Sequence, residues 1–126
     1  MKEFARDTER MININKDFIE MNKSERNKYI DKSDIYSLIL RLRGIFIANL
    51  ILQKEAYSKR KFKDFIIKDS EINYERVYDI YRAVRDGRKT DEKADLTQAE
   101  SLLELLIRET KKLKERLDNN EKKKEA

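Results

Sequence analysis

The sequence predicts an all-α fold, an up-and-down antiparallel bundle of about five helices. Three observations predict it. The 126 residues hold no proline and only two glycines, too few turn formers for a sheet-rich fold. Apolar residues recur three and four apart along most of the chain. Charged residues make up 44% and hydrophobic ones 39%, the balance of amphipathic helices with salt-bridged outer faces. The length suits one core. A single domain over residues 1–118 and a solvated tail over 119–126 are expected.

The first helix runs from about residue 2 to residue 20 or beyond, with Phe4, Met11, Ile14, Phe18 and Met21 in one stripe. Residues 22–32 are mostly polar and read equally as a helical extension or an irregular connection. Residues 35–56 form the central helix, the most apolar stretch, with Ser33 as N-cap and Asp34 as a first-turn acid. Ile35, Leu38, Ile39, Leu42, Ile45, Phe46 and Leu50 share a broad face. Ser37, Arg41, Gly44, Ala48 and Glu55 share the narrow stripe opposite, and Leu40, Ile47 and Leu52 lie on the flanks. A helix this apolar needs neighbours on several sides. Gly44 and Ala48, one turn apart, would admit a close one. A membrane span is disfavoured because Arg41, Arg43 and Asn49 interrupt the stretch.

Ser58 caps a short third helix over 59–68, whose inner face is Phe62, Phe65 and Ile66. Residues 69–73 connect it to a fourth helix, 74–86, capped by Asn73 and stopped by Gly87. Tyr74, Val77, Tyr78, Tyr81 and Val84 face inward. Tyrosines at this spacing read as core residues with hydroxyls at the rim, or else as a base-stacking platform. A polar loop, 87–95, precedes Thr97-Gln98-Ala99-Glu100, a capping box. The last helix follows with Ala99, Leu102, Leu103, Leu106, Leu113 and Leu117 along one face, broadened by Leu105 and Ile107.

Composition excludes much chemistry. Cysteine and histidine are absent, which removes disulfides, thiol catalysis, His- or Cys-ligated metals and the usual general base near pH 7. No phosphate-cradling glycine loop or nucleophile elbow is present. No catalytic residue, metal site or cofactor is therefore expected. The charged N-terminus lacks an apolar signal core, so a cytoplasmic location is expected, without membrane attachment. Abundant Lys, Glu, Arg and Ile resemble thermophile composition.

Net charge is +5, which permits an acidic partner without demanding one. Two basic clusters stand out. Arg82, Arg85, Arg88 and Lys89 lie at the end of the fourth helix and in its loop. Guanidinium groups bind phosphate through a planar fork, and pair equally well with neighbouring carboxylates. Lys59, Arg60, Lys61 and Lys63 crowd the start of the third helix, where cations oppose the macrodipole. They read as a solvated charge run or as a secondary basic patch.

The order of elements resembles that of the HEPN domains. Residues 81–89, followed by Leu96-Thr97-Gln98-Ala99-Glu100, are similar to that family's arginine motif and the helix after it, with Arg85 matching the arginine. The family's histidine has no counterpart; Thr90 or a neighbour stands in its place. The resemblance, over residues 34–117, implies a dimeric, nuclease-inactive bundle that partners a small nucleotidyltransferase or binds nucleotides or RNA. The expected function is a noncatalytic interaction module, self-associating as a dimer and binding a protein partner or a nucleotide. The alternatives are a small basic RNA- or DNA-binding protein and a degenerate ribonuclease.

Overall fold

The computed structural model describes residues 1–69 and 72–125 and contains five helices: α1 (Lys2–Ser24), α2 (Lys32–Leu52), α3 (Lys59–Asp69), α4 (Tyr74–Asp86) and α5 (Leu96–Glu125). The helices form an all-α bundle. Helix α5 packs along both α1 and α2, α4 packs on the other side of α2, and α3 lies against α4. Helix α2 is thus the centre, as its broad apolar face requires. Ile35, Leu38, Ile39, Leu42 and Ile45 are wholly inaccessible to solvent. By length and composition α2 could cross a membrane, but this face is filled by α4 and α5.

Three helices end in the same way. At the end of α4, Gly87 takes φ +67°, and the amides of Gly87 and Arg88 bond back to Val84 and Ala83. This paired closure satisfies carbonyls that the helix leaves open. Arg26 after α1 and Lys54 after α2 adopt φ +58° and close the same two loops, although neither is glycine. Hence α2 stops at Leu52, and 53–56 leave the helix instead of extending it.

The beginnings also differ in part from expectation. Ser33 lies inside α2; Asp31 is the N-cap, with no side-chain capping bond. Burial, and then the charge of Asp31, raise the Asp34 carboxyl above its ordinary range, so its place in the first turn is not simply favourable. Asp95 caps α5 by accepting from the amide of Gln98 at 2.9 Å, so Thr97 is already helical. Gln98 Oε1 instead accepts from the Asn73 amide, tying the starts of α4 and α5 together. Ser58 and Asn73 cap α3 and α4 as expected. Residues 22–24 continue α1, and 25–31 are irregular. There Ile30 is buried and its amide donates to Ala94. The expected 69–73 connection includes residues 70 and 71, outside the described residues. The expected tail is helical to Glu125, and 118–123 are exposed.

The largest correction concerns α1. Ala5, Thr8, Ile12, Asn15 and Ile19 are its buried side, whereas Ile14, Phe18 and Met21 of the expected stripe are exposed. Small residues near the N-terminal end allow α1 to approach α5. The Lys23–Glu100 and Lys114–Glu9 ion pairs, at 2.9 and 2.6 Å, and a third between Lys2 and Glu121, line that seam. Phe4 turns toward α2, where a Cβ on Gly44 would stand 2.7 Å from its ring. The close neighbour that Gly44 admits is thus an aromatic side chain. On α5, Ile107 likewise faces solvent.

Candidate functional site

Helix α4 carries the candidate site. Tyr74, Tyr78 and Tyr81 are four and three apart, so their rings follow one another along a single side. Centroids are 5.1 Å apart for Tyr74–Tyr78 and 5.4 Å for Tyr78–Tyr81. Tyr36 of α2 extends the row, stacking on Tyr81 at 5.3 Å. Tyr74 and Tyr81 are buried; Tyr36 and Tyr78 are half-buried. The row is therefore the outer edge of the core, with ring faces serving as packing surface. Burial, followed by repulsion from neighbouring Tyr78 and Glu75, pushes the Tyr74 hydroxyl up to about 12.

Cations lie over these rings. Arg82 is 5.3 Å from the Tyr78 centroid, Arg85 is 5.7 Å from Tyr81, and Lys63 is 5.6 Å from Tyr74. Such contacts use the negative face of the aromatic ring. Beside them, Arg43 lies over Tyr57 at 5.1 Å and its Nε donates to the Tyr57 hydroxyl at 3.1 Å. That bond raises the Arg43 guanidinium above its usual value. Thus one tyrosine row joins both expected clusters: Lys63 over Tyr74 at its α3 end, and Arg82 and Arg85 over Tyr78 and Tyr81 further along. Tyr36, Arg43 and Tyr57 were not expected here. Tyr36 and Arg43 are two turns apart on one helix, a signal present in the spacing. Tyr57 lies beyond α2, and no helical periodicity points to it.

The expected cations are not equally available. Arg88 is held by Asp79 at 3.0 Å, and Thr90 donates to the same carboxylate at 2.7 Å. The bond from Thr90, then that from Arg88, hold Asp79 below the usual carboxylate range. Arg85 makes a two-point contact with adjacent Asp86, at 3.0 and 3.3 Å. Lys63 pairs with Glu75, and Lys61 donates to the Ala56 carbonyl. Arg82, Lys89, Lys59 and Arg60 have no ion-pair partner among the described residues. Arg82 is the member of this group that also rests on a ring of the row.

This is an open surface. A cleft of about 240 Å³ lies elsewhere, between α1 and α5, and the Lys114–Glu9 pair is part of its wall. Among the described residues, no three or more acidic side chains gather as metal ligands. The α4 face can do two things chemically. Its guanidinium groups can take phosphate oxygens through paired donors, and their planes can stack on a base. No protein-family model, curated protein or solved structure matches the chain.

Proposed function

We propose that this protein is a noncatalytic helical interaction module that self-associates and binds a nucleotide, or a nucleotide-carrying protein partner, at the tyrosine–arginine face of α4. Arg82 carries the reading. It is a cation without a carboxylate partner among the described residues, laid over Tyr78 in the middle of an aromatic row. The five-helix order supports a HEPN-like domain of the histidine-less, nuclease-inactive type, with a small nucleotidyltransferase as its protein partner. A cytoplasmic location belongs to the same reading.

The test is binding of a fluorescent adenine nucleotide, followed by anisotropy. Replacing both Arg82 and Arg85 with Gln is expected to weaken binding at least about tenfold, the effect of losing about 1.4 kcal/mol. The melting temperature should shift by only a few degrees, because both side chains lie on the surface, where ion pairs and cation–ring contacts contribute little to stability. Equal affinity in wild type and double variant would remove the nucleotide reading. One observation favours a nucleic-acid alternative: Lys59, Arg60 and Lys89 add exposed cations, without an ion-pair partner among the described residues, around the same elements. A steep fall in RNA affinity with salt would select that alternative, since neutralising several phosphates releases several counterions. RNA cleavage by the pure, metal-free protein would instead restore the degenerate-ribonuclease reading.

A further inference from the structure

Helix α1 leaves its larger apolar side chains in solvent. Ile14, Phe18 and Met21 are 44%, 41% and 47% exposed, and Met11 beside them is half-buried. They are spaced three, four and three apart, a continuous stripe about 15 Å long at 1.5 Å per residue. Isolated apolar residues on a surface are ordinary, whereas a contiguous run of them marks a contact surface.

The charges beside the stripe specify what covers it. Arg10 and Asp17 are two turns apart and therefore lie on one edge, with Ile14 near their midpoint. In an antiparallel helix pair each edge meets the same edge of the partner. A second copy of α1, turned about a two-fold axis near Ile14, sets Arg10 opposite Asp17 twice. It also sets Met11 against Phe18 and Ile14 against Ile14. Further along that edge, Glu3 meets Ser24 and Arg6 meets Met21. In a parallel pair each edge meets the opposite one, which here is occupied by Asn22 and the α2 side, and the complementarity disappears. Asp17 has no ion-pair partner among the described residues, and Arg10 makes one long, exposed contact to Asp7 at 3.7 Å. Both are available at little cost.

We infer that the exposed stripe of α1 is the self-association surface, and that its occupant is α1 of a second copy of this chain, antiparallel about Ile14. This two-fold contact is isologous and closes on itself, giving a dimer and no filament. It deepens the self-association in the proposed function and rests on that reading. It leaves the α4 face of each copy free for its ligand.

Sedimentation velocity on the full chain tests the contact. Wild type is expected to be dimeric at about 100 μM, within the range of modest interfaces. Phe18→Glu, at an exposed position, should be folded by circular dichroism and monomeric. Asp17→Arg should weaken the dimer at least about tenfold by opposing Arg10, a change of about 1.4 kcal/mol. The double swap Arg10→Asp with Asp17→Arg should restore it. A Phe18→Glu protein as dimeric as wild type, or a double swap without recovery, overturns the α1 contact while leaving self-association through another face intact. A monomeric wild type overturns both.

Discussion

Lys54 and Arg26 hold left-handed backbone angles that usually fall to glycine. The side chain makes that conformation cost about 1–2 kcal/mol. Lys54→Gly is therefore expected to stabilise the protein by about 1 kcal/mol, read as a higher denaturation midpoint at unchanged slope. Gly87→Ala should lose about the same at the end of α4, although nothing crowds the position. These two non-glycine stops explain why the ends of α1 and α2 were illegible while that of α4 was plain: only Gly87 carries a mark. Gly44 behaves differently. Gly44→Ala gains about 1 kcal/mol of helix propensity and loses about as much by displacing Phe4. In a Phe4→Ala background the same change should show its stabilising part alone, which a double-mutant cycle measures. Tyr74 links structure to pH. Folding holds its proton more tightly than the unfolded chain does, so below about pH 10 it adds no pH dependence. Between pH 10 and about 12 the unfolded phenol ionises first, and stability must fall. Compared with Tyr74→Phe, wild type should lose about 1–2 kcal/mol more across that window in denaturant titrations.

Among the described residues, α3 packs least extensively on the other helices. Its hold is an aromatic cluster in which Phe46 of α2 meets Phe65 at 4.9 Å and Phe62 at 5.5 Å, with Tyr57 on its edge. Phe46 is half-buried, so Phe46→Ala is expected to cost about 2–3 kcal/mol, below the range for a fully buried ring. The loss should be local. Hydrogen exchange of 59–69 should speed up while α2 and α5 stay protected. Helix α4 was legible because its cap, apolar spacing and stop all agree. The face of α1 was not, since two stripes compete along it. The stripe of larger residues is the stronger periodic signal, but close packing on α5 selects the smaller one through Ala5 and Thr8. The candidate site divides in the same way. Tyr78 and Arg82 are four residues apart on one helix, a contact the spacing contains. Arg88 reaches Asp79 from the turn after α4, and Tyr57 reaches Arg43 from the loop after α2. Helical periodicity carries no information about either.

At the scale of the whole molecule, α2 is held to α5 by a polar device within the apolar core. Asn49, nearly inaccessible, donates to the Glu109 carbonyl at 3.1 Å, while Arg116 donates to its side-chain oxygen at 2.9 Å. Buried Glu109 is paired with Arg108 and Lys112. Leu42→Asp, one level into the same core, places an unpaired charge where no such partners stand, and should abolish the cooperative thermal transition. A cooperatively melting Leu42→Asp protein would contradict the central place of α2. The pairing of α1 with α5 has a consequence for how the chain is made. Helix α1 leaves the ribosome ahead of α2, α3 and α4, yet its main partner, α5, emerges after all of these. At about 5–20 residues per second, its buried side waits for several seconds with nothing to cover it. During that interval Ile12 and Ile19, later hidden, are open to solvent alongside Ile14 and Phe18. The nascent chain thus presents an apolar helix on two sides, a target for chaperones until α5 arrives.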